Sequence, residues 1–250
     1  MDFTLVYQDE NIAALNKRSG IAVSPDRWDL SLERLDKQAA EYLKIPKLFT
    51  VHRLDRETSG LVIFAKNAET HRELSRLFES RKIVKRYIAI VRGRPSWKEA
   101  SCDLPLIPNG NKRHLTIVDK YRGKKSLTNF HLLGIAGNYG IVEALPLTGR
   151  THQIRVHLAA LGHAVVCDEF YGNNKGVLLS SFKKGWRGDP KEERPLLARL
   201  GLHALELQVP EYNDPENTLV LKAELPKDMK ATINQMEKAA NTEINLWSEL

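Results

Sequence analysis

Val51-His52-Arg53-Leu54-Asp55-Arg56-Glu57-Thr58-Ser59-Gly60 runs without a break into Leu61-Val62-Ile63-Phe64-Ala65. The second part is a short continuous apolar run, of the length and composition of a strand buried on both faces. The first part is a polar loop that such a strand anchors. Asp55 stands in it with the cations Arg53 and Arg56 nearby, and rigid anchoring is what a positioned nucleophile or base requires. Spacing alone also fits an aspartate that caps a turn and pairs with a local arginine, a common arrangement on loops.

Upstream, Thr4-Leu5-Val6-Tyr7 and Ile12-Ala13-Ala14-Leu15 flank Asp9-Glu10-Asn11, the pattern of a β-hairpin, and a turn follows at Gly20. Ser31 precedes Leu32, Leu35 and Ala39 at helical spacing, which predicts an N-cap and an amphipathic helix to about Tyr42. Downstream, Asn67 can cap a helix with Leu74, Leu77 and Phe78 on one face and Arg72, Arg76 and Arg81 on the other. Tyr87 to Val91 reads as a strand closing at Gly93, and residues 103–125 as a loop with short strands exposing Lys112, Arg113, Lys120, Arg122, Lys124 and Lys125.

Ile141 to Leu147 is a further predicted strand. Thr148-Gly149-Arg150 then leads into a helix from about Thr151 to Leu161, which Gly162 ends. The Gly-, Lys- and Arg-rich stretch 172–195 is long for a structureless connection, so it is read as an insertion or a functional loop. A strand over Leu202 to Val209, a turn near Asn213-Asp214-Pro215, a strand over Thr218 to Ala223 and a helix from about Ala231 complete the chain. Strands dominate without strict βαβ alternation, which favours an α+β fold. No linker divides the 250 residues, and a single domain is expected.

Composition excludes several classes. The 42% hydrophobic and 28% charged fractions are those of a globular protein. No apolar run approaches the roughly 20 residues of a membrane helix, and the N-terminus lacks the basic start and apolar stretch of a signal peptide. Cys102 and Cys167 are too few for a disulfide framework or a thiolate metal site. A cytoplasmic protein is expected. The net charge of +7 is unevenly spread: residues 51–200 carry 27 Lys+Arg against 14 Asp+Glu, between weakly acidic ends. That points to a cationic surface facing a polyanion, or to cations that solvate exposed helices.

Gly149-Arg150-Thr151-His152-Gln153-Ile154-Arg155-Val156-His157 is the second chemical segment. On the predicted helix Ile154, Leu158 and Leu161 form the apolar stripe, while His152, Arg155 and Ala159 line an adjacent face. Arg155 would then project a fixed guanidinium towards a carboxylate or a phosphate. His152 and His157 are five apart, which does not place two imidazoles on one face, and the zincin spacing with its glutamate is absent. No metal site is expected.

These segments resemble the RluA-type RNA pseudouridine synthases. His52-Arg53-Leu54-Asp55-Arg56-Glu57-Thr58-Ser59-Gly60 resembles the motif holding that family's catalytic aspartate. Asn16-Lys17-Arg18-Ser19-Gly20 is similar to its early Asn-Lys-Pro-x-Gly turn, and Lys85-Arg86-Tyr87-Ile88-Ala89 to the strand with its active-site tyrosine. The segment from Gly149 to His157 resembles the motif of the active-site arginine, and Leu202-His203-Ala204 the last motif, whose leucine edges the uracil pocket. The five occur in the family's order over about residues 3–225. Arg18 replaces the usual proline, and His163-Ala164-Val165-Val166-Cys167-Asp168 stands where His-Pro-x-x-Gly-Asp is usual.

The resemblance implies one catalytic domain on a mixed, largely antiparallel sheet with a central cleft, and a redox-neutral isomerisation of uridine in rRNA or tRNA that needs no cofactor. It implies Asp55 as nucleophile, with Tyr87 stacking on the uracil and relaying the C5 proton, and Arg155 keeping Asp55 ionised in a dry pocket. Arg53 would fill the space of the flipped base, and Leu202 would line the pocket; Thr58, His152 and Gln153 complete the expected substrate-binding set. Many relatives carry an N-terminal S4 domain; none is expected here, so RNA affinity would come from the cleft, the basic middle and the 172–195 loop. A monomer is the default. An RNA-binding or chaperone protein with weak or lost catalysis is the alternative from another class, since phosphate contacts alone bind RNA.

Overall fold

The apolar run behind Asp55 is a strand, Ser59–Ala65, buried at every position. The computed structural model describes residues 1–25, 33–111, 115–210, 217–244 and 246. The chain begins with β1 (Phe3–Gln8), β2 (Ile12–Lys17), α1 (Leu35–Tyr42), β3 (Phe49–Thr50), β4 (Ser59–Ala65) and α2 (Ala68–Glu79). It continues through β5 (Val84–Arg92), β6 (Glu99–Cys102), β7 (Leu106–Ile107), β8 (Ile117–Val118), β9 (Thr128–Ala136) and β10 (Tyr139–Pro146). Then come α3 (Gln153–Ala160), a 3-10 turn at Leu179–Ser181, β11 (Leu202–Pro210), β12 (Thr218–Lys222) and α4 (Lys227–Ala240). This is the expected α+β class. Among the described residues no helix is long and apolar enough to cross a membrane.

Two compact units share these elements, and neither is one continuous segment: Met1–Arg86 with His203–Leu225, and Tyr87–Leu202 with Pro226–Leu250. In the first, β1 and β2 form the expected hairpin, with Asp9 Oδ1 accepting from the N–H groups of Asn11 and Ile12, both at 2.7 Å. β2 pairs antiparallel with β4, and β3 pairs antiparallel with the far end of β4. β11 joins β4 in parallel through His203–Ser59 and Ala204–Gly60, and β12 pairs antiparallel with β11. The Asn67 side chain caps α2 by accepting from Thr70 N–H at 2.9 Å. Leu74, Leu77 and Phe78 of that helix pack on Ile12, Leu61, Ile63 and Leu207, as the periodicity predicts.

α1 starts at Leu35, later than its pattern suggests, and the expected cap at Ser31 lies outside the described residues. Its first N–H groups are taken by main chain instead: Leu35 donates to Ala22 O at 2.9 Å and Asp36 to Val23 O at 3.3 Å.

In the second unit β5, β10, β9 and β6 form an antiparallel ladder. β6 and β9 carry no clear apolar run, and the sequence reading does not single them out. Behind the ladder lies a core that includes Ala89, Phe130, Val142, Ile154, Leu158 and Leu202. α3 begins at Gln153 rather than Thr151, because His152 is left-handed with φ of 54°. It ends as predicted at Gly162, where Gly162 N–H bonds Ala159 O and His163 N–H bonds Leu158 O. α4 starts at Lys227, four residues before the expected Ala231, directly behind Pro226. Its polar first turn hides that start, which Arg199 fixes by a double hydrogen bond to Asp228 at 2.8 and 2.7 Å.

The 172–195 stretch is irregular but anchored. Val177 is buried and exchanges backbone hydrogen bonds with Leu196 and Leu197, while Phe182 packs edge-on against Tyr139. Lys112, Arg113 and the turn predicted near Asn213-Asp214-Pro215 lie outside the described residues.

Gly60 is where the parallel pair closes. Its φ is +115°, and a Cβ there would lie 2.2 Å from Ala204 O and 2.5 Å from Ala204 N. Gly60→Ala should therefore destabilise the protein by about 3 kcal/mol or more, overpacking and backbone strain acting together. Urea unfolding would check this; a midpoint equal to that of the wild type would show that the pair can spread at little cost.

Candidate active site

In the first unit the Asp55 loop is locked from beneath by a buried ammonium. Lys17, 1% exposed, donates to Arg18 O at 2.9 Å, Ile21 O at 3.0 Å and Arg56 O at 2.8 Å. Its three N–H groups are thus matched to three carbonyls. Ser19 Oγ donates to Glu57 O at 2.6 Å, and Gly20 N–H to Arg56 O at 2.8 Å. The Asn16–Gly20 turn is in this way fastened to the Asp55 loop. Within the loop Thr58 N–H closes a turn on Asp55 O at 3.1 Å. Asp55 is half-buried, Leu54 is buried and Arg53 is exposed.

Thr58 is 2% exposed, and its Oγ1 has no hydrogen-bond partner among the described residues. The next residue is differently placed: Ser59 Oγ meets His203 Nδ1 at 3.0 Å, and His203 Nε2 faces Ala223 O at 3.4 Å. A carbonyl can only accept, so Nε2 carries the proton and Nδ1 accepts from Ser59.

His52 holds the other side of the loop. Its Nε2 accepts from Ile63 N–H at 3.0 Å, and the ring stacks on Phe78 at 4.5 Å. Burial, with Lys85 nearby, lowers its pKa to about 3, so the ring is neutral as an acceptor must be. Lys85 is itself lowered to about 8 by burial and by Arg81.

In the second unit the candidates cluster at the start of α3. Arg155, 3% exposed, donates Nε to Asp168 Oδ2 at 2.7 Å and Nη2 to Oδ1 at 2.8 Å. Asp168 Oδ1 also accepts from the N–H groups of Phe170 at 2.9 Å and Tyr171 at 3.1 Å. Burial pushes this carboxyl up, but the hydrogen bonds and charge of Arg155, with those two N–H groups, outweigh it and hold Asp168 below the usual range. The guanidinium also lies over the rings of Phe170 and Tyr171, 5.2 and 5.3 Å from their centroids.

Tyr171 OH accepts from Thr116 N–H at 3.1 Å and meets His152 Nδ1 at 2.8 Å. Burial first, partly offset by Arg155, raises the phenol above its ordinary value. The hydroxyl is therefore neutral where it shares a hydrogen bond with His152. Gln153 is buried and fully engaged: Oε1 accepts from Thr148 Oγ1 and Arg150 N–H, and Nε2 donates to Leu127 O and Thr128 Oγ1. Tyr87 packs on the core cluster that contains Leu202, which is buried.

The structure thus gathers Arg53, Asp55 and Thr58 on one loop of the first unit. It gathers His152, Gln153 and Arg155 at the head of α3, and Tyr87 with Leu202 on one core of the second. Sequence reasoning did not identify Lys17, His52, Asp168 and Tyr171 as supports of these groups. Asp168 carried a signal, since it ends the segment quoted from His163. Among the described residues no group of three or more His, Cys, Asp or Glu side chains could hold a metal ion.

Residues 11–160 match the model of the family described as RNA pseudouridylate synthase. A dual-specificity RNA pseudouridine synthase RluA of Escherichia coli K12 is 35% identical over 223 residues, covering 88% of this chain and 91% of that protein. The chain belongs to the RluA-type RNA pseudouridine synthases. The protein of that name from Salmonella typhi is 37% identical over 177 residues, covering 70% of this chain and 80% of that protein. Human RNA pseudouridylate synthase domain containing 1 superposes with a TM-score of 0.69 at 26% identity, over 97% of this chain and 96% of that one.

As a pseudouridine synthase the protein is an isomerase acting on RNA. Its departure at Cys167 keeps the backbone that glycine would give: φ there is +57°, a conformation that costs a side-chain-bearing residue about 1–2 kcal/mol. The thiol donates weakly to Lys175 O and Leu197 O, and burial pushes its pKa up to about 11, so it stays protonated.

Two outcomes follow from these buried charges. Asp168→Asn takes from the buried Arg155 guanidinium the carboxylate that grips it with two hydrogen bonds, and should cost about 3–5 kcal/mol in urea unfolding; a loss below about 1 kcal/mol would mean the site relaxes around the amide. His52 contributes stability that is complete above its unfolded value of 6.5 and is lost as pH falls from there towards 3. The unfolding free energy of His52→Phe should accordingly fall less steeply than that of the wild type between those limits. Parallel slopes would show that His52 charges without cost.

Proposed function

We propose that residues 1–250 act as one catalytic domain, with a central cleft, that converts specific uridines of rRNA or tRNA to pseudouridine with Asp55 as the nucleophile. The supporting observation is the placement of Asp55: a half-buried carboxylate on a loop that Lys17 ties to a neighbouring turn, three residues before a buried Thr58 hydroxyl that has no partner among the described residues. Substrate RNA would provide that partner. In this reading the target base leaves its stack at a cost of a few kcal/mol, and the exposed Arg53 occupies the space it leaves.

The reaction exchanges one bond for another. N1–C1′ breaks, C5–C1′ forms, the proton leaves C5 and N1 gains one, so no redox cofactor is called for. Tyr87 stacks on the uracil and relays the C5 proton, Leu202 lines the pocket, and Arg155 keeps the Asp55 carboxylate ionised. His152 contacts substrate, whereas Gln153, its amide engaged by the protein, positions the segment on which His152 and Arg155 stand. The protein works in the cytoplasm as a monomer. The names of its relatives, dual-specificity RNA pseudouridine synthases, support RNA as the substrate.

The test is tritium release from RNA labelled at uridine C5. Wild-type protein should release tritium into water, and Asp55→Asn should lower the rate by at least about 1,000-fold, a loss of some 4 kcal/mol in barrier terms, while binding RNA nearly as well. Equal loss of binding and turnover would overturn the assignment of Asp55 as nucleophile. Failure of the wild type on both rRNA and tRNA would overturn the substrate class.

A further inference from the structure

Between β8 and β9 the chain makes a tight turn, Asp119-Lys120-Tyr121-Arg122-Gly123, whose tyrosine is 98% exposed. Cations surround it in sequence. Lys120, Lys124 and Lys125 are exposed, and Arg122 keeps 72% of its side chain in solvent while paired to Asp119. A fully exposed ring forgoes the burial that usually places aromatic side chains.

The turn is rigid. Asp119 Oδ1 accepts from the N–H groups of Tyr121 at 3.0 Å and Arg122 at 2.9 Å, and Oδ2 accepts from Arg122 Nε at 2.9 Å. Gly123 N–H bonds Asp119 O at 2.9 Å, and a Cβ on Gly123 would lie 2.3 Å from that oxygen and 2.7 Å from the carbonyl carbon of Pro105. Asp119 N–H bonds Pro105 O, and Lys124 and Leu106 exchange backbone hydrogen bonds at 2.8 and 3.0 Å.

Both ends are tied to the surroundings of Arg155. Thr116, just before β8, donates its N–H to Tyr171 OH at 3.1 Å, and Lys125 O accepts from Arg150 Nε at 3.3 Å. An aromatic face among cations, fixed before any ligand arrives, has the composition of a platform for an unpaired base with phosphates at its sides.

We propose that Tyr121 stacks on an unpaired base of the substrate RNA outside the uridine pocket, while Lys120, Lys124 and Lys125 contact the adjoining phosphates. This rests on the reading of the substrate as a structured RNA with an accessible loop. Because the turn is already ordered, little conformational freedom is lost on stacking.

The test measures binding, by fluorescence anisotropy at fixed salt, of a labelled RNA hairpin with a uridine-containing loop and of its loop-free duplex stem. Tyr121→Ala should weaken hairpin binding about tenfold, the effect of one lost base stack, and leave stem binding unchanged. Tyr121→Phe and Tyr121→Trp should bind the hairpin like the wild type. Lys124→Gln should instead weaken both RNAs and lower the salt slope by about one. Wild-type affinity in Tyr121→Ala, equal loss on hairpin and stem, or a Tyr121→Phe variant as weak as Tyr121→Ala would each overturn the proposal. Tritium release by the wild type is followed separately, so its failure would strike the substrate reading while the binding comparison still decides the role of Tyr121.

Discussion

Asp168 holds the second unit's chemistry in place. One buried carboxylate takes two hydrogen bonds from Arg155 and two from the main chain at Phe170 and Tyr171. The fork of Arg155 matches a carboxylate edge to edge, which a lysine could not do. That pairing fixes Arg155 on α3 and brings the rings of Phe170 and Tyr171 under its plane. Tyr171 OH in turn hydrogen-bonds His152 and accepts from Thr116 N–H. A chain of dependence thus runs from one carboxylate to an arginine, a histidine and the start of a strand.

The first unit buries charge by another means. Lys17 meets three backbone carbonyls, the partial charges that a turn offers when its N–H groups are engaged elsewhere. Each of those carbonyls turns the negative end of its dipole towards the ammonium. Asp168 and Arg155 instead set charge directly against charge. Both arrangements give the buried cation directed oxygen partners, the condition under which buried polar groups rigidify rather than destabilise.

Elements with a strong local pattern were legible in the sequence. β4 is a continuous apolar run between polar segments, and α2 has its cap and stripe in plain view. The start of α3 was not legible, because Thr151 and His152 are compatible with a helix by composition. What stops the helix there is the left-handed backbone of His152, whose ring is held by Tyr171, far away in sequence. α1 is the same case, its first turn being held by Ala22 and Val23. β6 and β9 owe their form to the neighbours they pair with and not to their own periodicity. At the site, Asp55 and Arg155 were found through motifs. The supports Lys17 and His52 were not, since a lone lysine or histidine acquires its role only when the fold surrounds it.

The parallel junction of β4 and β11 has a consequence for synthesis. Ser59 and His203, hydrogen-bonded to each other, are 144 residues apart in the chain, and the first unit draws its last strands from His203–Leu225. During translation β4 leaves the ribosome well ahead of β11, and meets its parallel neighbour only after the 144 residues from Ser59 to His203 have followed. A connection of that length makes closure slow and leaves one edge of β4 open meanwhile, the kind of surface to which strand-binding chaperones attach. Truncated chains that end before residue 203 would keep that edge permanently.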